Sequence, residues 1–323
     1  MTYGVGMKRG GMRRGLAWGA VASSVLSINL ALTLGSVSSA DPAAATPGGG
    51  FVTASAARTS PAPASLPFGK GPILPDHIVV AYYGTAGTGS LGVLGEDTPD
   101  NITKRLRKAA EPFGTRRRPV QIAYELIVTV ADSIPGPDGD YSHDILHSKV
   151  QDYIEAAHRN NALVVLDLQP GRSDFLTVAK RWKWALVDPW VGLALDPEWR
   201  MGPHQVPAEV IGSVGAREVN RVTRWLARLS RNHNLPQKLF LLHTFRTSMI
   251  RNIGSIKIRP RLAMIEHVDG FGSPAQKLAT YHAVARPKKF HMGFKLFYDE
   301  DKPLMSARRV KQIRPVVEFV SFQ

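Results

Sequence analysis

Eight short apolar runs spaced through residues 77–323 constrain this chain more than any other feature. They read HIVVAYYG (77–84), VQIAYELIV (120–128), ALVVLDLQPG (162–171), WVGLALDPEWR (190–200), KLFLLHTFR (238–246), LAMIEHVDGFG (262–272), HMGFKLFYDED (291–301) and VVEFVSFQ (316–323). Runs of that length, rich in β-branched and aromatic residues and separated by helix-like stretches, are the signature of a parallel sheet with helical crossovers. Eight of them in about 250 residues fit a single (β/α)8 barrel of the TIM type. The eighth run closes the sequence, so the barrel is expected to lack its final helix. Most runs end in polar or charged residues, and in this architecture the active site sits where the strands end.

Helical periodicity places the crossovers at 100–110, 143–160, 174–187, 217–232, 274–285 and 306–313. The connection 247–260 is the weakest, with Gly254 inside it. The segment GTAGTGSLGVLG (84–95) lacks the Lys-Ser/Thr pair of a phosphate-binding loop and reads as a mobile loop at the barrel mouth.

The first 75 residues differ from the rest. Basic residues from Lys8 to Arg14 precede an apolar stretch, Leu16 to Val37, that ends in Ser38-Ser39-Ala40. That order predicts a signal peptide cut near Ala40, or a retained membrane anchor, over residues 1–40. Residues 41–75 are rich in Ala, Pro, Gly and Ser and are expected to form a flexible tether, leaving 76–323 as the barrel. A secreted or cell-envelope location follows, with any membrane contact confined to the N-terminal segment. The chain has no cysteine, which excludes disulfides and thiolate metal sites.

The net charge is +15, of which +5 falls in residues 1–75. The basic residues of the barrel are dispersed along helices and no nucleic-acid module is present, so nucleic acid is not an expected partner. A poly- or oligosaccharide fits better, including an anionic polymer of the cell envelope.

The sharpest chemical signal lies in the fourth run. Side chains alternate along a strand, so Gly192, Ala194, Asp196 and Glu198 are expected on one face and Val191, Leu193 and Leu195 on the other. Two carboxylates two residues apart on a strand lie roughly 6–7 Å apart. They resist joint ionisation, which raises one proton affinity toward that of a general acid. The third run repeats the pattern with Asp167 and Gln169, and the second with Ala123 and Glu125. Three neighbouring strands thus bring acids to one rim. Glycoside cleavage needs such carboxyls in pairs, so Glu198, Asp196, Asp167 and Glu125 are the catalytic candidates. A salt-bridged rim, with Arg200, Arg246 or Lys295 as partners, is the structural alternative.

The run Val80-Ala81-Tyr82-Tyr83-Gly84 and the motif Asp196-x-Glu198 resemble family-18 chitinase-type glycosidases. The resemblance implies that Glu198 protonates the glycosidic oxygen and that Asp196 assists it. Where that family carries earlier aspartates on the same strand, this chain has Val191 and Ala194.

Substrate contacts are expected from Tyr83, Gln169, Trp199, His243, Arg246, Glu266, His267, Asp269, Lys295 and Phe297. Aromatic residues near strand ends supply flat apolar surfaces for sugar rings. They include Tyr82, Trp190, Phe245, Phe271 and Tyr298, with Trp199 the favoured platform. No Gly-x-Ser-x-Gly elbow appears, which argues against a serine hydrolase. Neither a cofactor nor a metal is expected for the glycosidase reading. Two other readings stay open. One is a barrel that binds a glycan or wall partner without cleaving it. The other is a metal-dependent hydrolase using His243, His267 and the acids, although the first run lacks a His-x-His pair.

Overall fold

The structure, a computed structural model, describes residues 65–323. The expected signal or anchor segment and most of the expected tether lie outside the described residues. Among the described residues no helix is long and apolar enough to cross a membrane.

The eight runs form eight parallel strands: β1 (Ile78–Gly84), β2 (Val120–Ala131), β3 (Leu163–Leu168), β4 (Val191–Leu195), β5 (Lys238–Thr244), β6 (Leu262–Val268), β7 (His291–Leu296) and β8 (Val317–Phe322). Each pairs with its neighbour in sequence, and β8 also pairs with β1, which closes the (β/α)8 barrel and leaves none of its eight strands at an edge. The crossovers carry α1 (Pro99–Ala110), α2 (His147–Asn160), α3 (Phe175–Arg181), α4 (Lys183–Leu186), α5 (Ala216–Asn232), α6 (Pro274–Val284) and α7 (Ala307–Lys311). The weak connection between β5 and β6 holds no α-helix, only a two-residue strand, Ile250–Arg251, that pairs with Val214–Gly215, and a 3-10 turn, Ile253–Ser255.

Local chemistry sets several of these boundaries. Asp174 caps α3 by accepting from the N–H of Leu176 and Thr177, and Ser273 with Gln276 forms a capping box on α6. The helix expected from His143 begins at His147 instead. Ser142–Asp144 pairs antiparallel with the overlong end of β2, in register Thr129 to Asp144. The Gly-rich loop after β1 is packed rather than loose, and Val93 and Leu94 are buried within it. At Gly92, with φ 134°, an added Cβ would meet the Tyr83 carbonyl oxygen at 2.4 Å, so the loop folds directly onto the strand it leaves.

Two apolar clusters build the molecule. The larger lies between the helices and the outer faces of the strands, where alternate residues such as Val164, Leu166, Leu193, Leu195, Phe240 and Leu242 point. The smaller fills the lower barrel interior with Val79, Ala81, Ala123, Val165, Ala194, Leu241, Ile265 and Phe319.

Residues 65–75 correct the expected domain boundary. Leu66, Ile73 and Leu74 are buried in the interior cluster and close the end of the barrel where the strands begin. The Ile73 N–H donates to Gln237 Oε1 at 2.8 Å, and Trp190 Nε1 donates to the Ser65 carbonyl at 2.8 Å. Eleven residues expected in the tether therefore form the floor of the fold. The Pro and Gly that suggested looseness shape its turns, while its apolar side chains have a cavity to fill. Ile73→Val is expected to lower stability by about 0.5–1.5 kcal/mol in chemical denaturation. Ile134→Val, at a side chain 65% exposed, should leave it within about 0.5 kcal/mol.

Candidate active site

The barrel interior switches from apolar to polar at one level. Below it the inward positions carry Ala81, Ala123, Val165, Ala194, Leu241 and Ile265. One inward step higher, the odd strands bring Tyr83, Asp167, His243 and Lys295. The even strands bring Glu125, Asp196, His267 and Ser321, all buried. Alternation along each strand makes the apolar floor and the polar pit parts of one pattern.

His243 is the hub. Its Nδ1 lies 2.8 Å from Asp269 Oδ2, its Nε2 lies 3.0 Å from Glu125 Oε1, and Asp167 Oδ1 is 3.9 Å away. Burial opposes a charge on this ring, but Asp167, Asp269 and Glu125 outweigh it and hold its proton affinity well above the usual imidazole value. Its neighbour His267 behaves oppositely. Burial strips its proton down to about 3, and its Nε2 is tied to Ser321 Oγ at 2.8 Å. Burial would raise Glu125, yet the rings of His267 and His243 bring it down to about 2. Because His267 is neutral above about pH 3, His243 carries the positive charge that keeps Glu125 ionised. Asp269 is likewise held low, with the His243 hydrogen bond overcoming the effect of burial.

The remaining acids go the other way. Burial raises Asp167, and raises Asp196 well above the usual carboxylate range, with neighbouring carboxylates adding to both. Glu198 is pushed up to about 7, first by burial and then by Asp269, against the pull of Lys295, His243 and Arg246. Carboxyls outnumber cations in this pit, so some of them keep their protons.

Strand geometry for the Asp196 and Glu198 pair needs correcting. β4 stops at Leu195, and Pro197, which has no N–H to donate to a ladder, opens a 3-10 turn, Pro197–Trp199. Asp196 caps that turn by accepting from the Glu198 N–H at 3.2 Å. The two acids are thus linked through a turn rather than aligned along a strand. Asp196 faces the pit, and Glu198 stands partly exposed at its rim.

Other expected contacts fall into place around them. The Tyr83 hydroxyl donates to Asp167 Oδ2 at 3.0 Å and accepts from Gln169 Nε2 at 3.4 Å. Lys295 Nζ sits 3.3 Å from the centroid of the Tyr83 ring and donates to Gln323 Oε1 at 3.1 Å. Phe297 is buried beside it and meets the exposed ring of Phe271 edge-on at 5.9 Å. Arg246 lies exposed beyond the end of β5, over the Phe245 ring at 5.5 Å.

Two expected residues are not where they were placed. Glu266 points to the outer side of β6, where Arg286 and Tyr281 are its neighbours and burial raises it to about 7. It takes no part in the pit, because Ala263, Ile265 and His267 hold the inward positions of that strand. Trp190 lies at the closed end, stacked on His158 with centroids 4.3 Å apart. Trp199 is half-buried on the 3-10 turn, so Phe271, 56% exposed, is the better placed platform.

Ser321 and Gln323 belong to the site and were not expected there. Their signal was their spacing: they follow Phe319 at intervals of two, on the face opposite Glu318, Val320 and Phe322, with Gln323 just past the end of the strand. Gly293 is the third addition, since a Cβ there would meet His267 Nδ1 at 2.3 Å.

No family model and no curated protein matches the chain. Among solved structures, a hyperthermophilic endo-beta-1,4-glucanase in complex with substrate is similar over 78% of this chain and 89% of its own, at 10% identity and a TM-score of 0.41. Plasmodium falciparum HPPK-DHPS with pteroate is similar over 78% of this chain and 45% of its own, at 8% identity and a TM-score of 0.29. Likenesses at this level carry no argument about chemistry. The functional question therefore rests on the pit at the carboxyl end of this (β/α)8 barrel.

Proposed function

We propose that this protein is a glycoside hydrolase whose general acid is Glu198. One observation carries the reading. A carboxyl that keeps its proton to about pH 7 stands at the rim of a pit whose deeper carboxylates, Glu125 and Asp269, are ionised. Pairs of carboxyls pushed apart in proton affinity are what acid-assisted cleavage of an acetal requires.

In the proposed reaction the Glu198 proton passes to the glycosidic oxygen as the bond from that oxygen to the anomeric carbon breaks. The leaving sugar departs as an alcohol. Positive charge developing on the remaining ring is stabilised by the carboxylates below it. Water then adds to the anomeric carbon, and its proton returns to Glu198. Asp196 positions the acid through its bond to the Glu198 N–H, in line with the assisting role that the resemblance to chitinase-type glycosidases implies. Tyr83, Lys295 and Gln169 offer contacts for sugar hydroxyls, and Phe271 and Phe297 offer an apolar face. The basic surface favours an anionic polymer of the cell envelope as substrate, and the N-terminal sequence favours an extracytoplasmic location.

The test is incubation of the full chain with a panel of neutral and anionic glycans, reading new reducing ends and the masses of products. Products from at least one glycan are expected. Binding without product on every glycan would overturn hydrolysis in favour of a binding module. On a cleaved substrate, Phe271→Ala should raise KM about 2–10-fold and leave kcat within about twofold, the loss of roughly 0.5–1.5 kcal/mol of ring contact.

A further inference from the structure

Below the rim, Glu125 on β2, His243 on β5 and His267 on β6 each offer one ligand atom, and these three atoms lie within 4.8 Å of one another. We infer that they form a binding site for one divalent transition-metal ion, zinc being the first candidate.

The hydrogen-bond accounting points to a ligand. Both carboxylate oxygens of Glu125, His243 Nε2, His267 Nδ1 and Asp167 Oδ1 are buried without a hydrogen-bond partner. Buried polar atoms are nearly always partnered, and here five of the exceptions gather in one place. An ion pair between His243 and Glu125 answers only part of this. Their 3.0 Å approach lacks hydrogen-bond geometry, and it leaves the second Glu125 oxygen and His267 Nδ1 unserved. One cation among them would serve all three side chains.

Outer contacts are arranged as they are around metal-binding imidazoles. Such rings fix their orientation by giving the far nitrogen to a carboxylate or another polar group. His243 Nδ1 is held by Asp269 Oδ2 at 2.8 Å, which leaves Nε2 toward Glu125. His267 Nε2 is held by Ser321 Oγ at 2.8 Å, which leaves Nδ1 free. Gly293 completes the arrangement, because any side chain there would strike that nitrogen. Two imidazoles and one carboxylate match zinc and its neighbours in the first transition row. Magnesium and calcium prefer oxygen alone. Charge agrees with this, since the carboxyls of Glu125, Asp167, Asp196, Glu198 and Asp269 outnumber the cations near them, His243 and Lys295 in the pit and Arg246 at its rim. The site stands independently of the glycosidase reading, because its evidence is the geometry beneath the rim.

The experiment strips the full chain with chelator and dialyses it against zinc chloride, with magnesium chloride as control. Bound metal is then measured by elemental analysis, and cobalt(II) absorption reports the ligand field. About one equivalent of zinc and no magnesium is expected, with a rise in Tm that follows zinc concentration. His243→Ala and His267→Ala should each lose the zinc, and Glu198→Gln should keep it. Asp269→Asn preserves all three ligands and should weaken zinc about 10–100-fold, which keeps the test decisive if a histidine variant fails to fold. Zinc binding that is absent in the wild type, or unchanged in Asp269→Asn and in whichever histidine variants fold, overturns the proposal. Loss of hydrolysis in Glu198→Gln with zinc retained separates the acid from the metal site.

Discussion

Glu198→Gln lowers kcat/KM for glycan hydrolysis by about 10²–10⁴-fold, the usual contribution of a positioned general acid, while leaving the fold intact. The amide keeps the volume of the carboxyl but has no proton to give to a leaving oxygen. The wild-type profile should carry the same signature. Glu198 acts in its protonated form, and burial with Asp269 holds that proton to about pH 7. Activity is therefore present below that pH and falls as pH rises through it. In Glu198→Gln the alkaline limb should vanish along with most of the rate. Steady-state kinetics from about pH 4 to 9 on the best substrate of the panel checks both. A variant with wild-type turnover, or with an unchanged alkaline limb, would remove Glu198 from the chemistry.

Lys277→Met lowers stability by about 3–5 kcal/mol, which for a domain of this size corresponds to a fall in Tm on the order of 10 °C. The Lys277 ammonium is wholly buried behind the pit. It pairs with Asp301 Oδ2 at 3.0 Å and donates to the carbonyls of Gly270 at 2.7 Å and Lys295 at 2.9 Å. It thereby ties α6 to the exits of β6 and β7, where Phe297 and Lys295 emerge. Removing it strands the equally buried Asp301 carboxylate, which is far costlier than losing an exposed pair. Replacing Asp301 by Leu as well should recover only part of the loss. Asp301 also accepts from the N–H of Gly272 and Phe297, each at 3.0 Å, and those donors would be left unpaired. Denaturant unfolding of the single and double variants measures the effect, and a loss below about 1 kcal/mol would mean the pair is not a brace.

The strands were legible because each is a short apolar run closed by polar residues, and the acids of β2, β3 and β4 were legible because alternation put them on one face. Parity failed at β6. Every residue from Leu262 to Val268 is buried. A strand packed on both sides gives no polar rhythm to show which of Glu266 and His267 faces in. It failed again past Leu195, where Pro197 turns the chain before Glu198 can continue the strand. The floor was misread for a compositional reason: residues 65–75 hold prolines and glycines like the segment before them. Only Leu66, Phe68, Ile73 and Leu74 distinguished it, and their partners lie at the starts of distant strands. His243 was read as a candidate from its strand position. Its role as the charge hub required three strands to be brought together in space.

The closed floor gives the molecule a polarity that bears on how it can be handled. Ser65 meets Trp190 at the end opposite the pit, so a graft, tag or bead linkage placed before Ser65 joins the barrel on its blind side. Coupled through that end to a sensor chip or resin, the domain would present the carboxyl ends of its strands to the solution, where long polymers could approach without meeting the support.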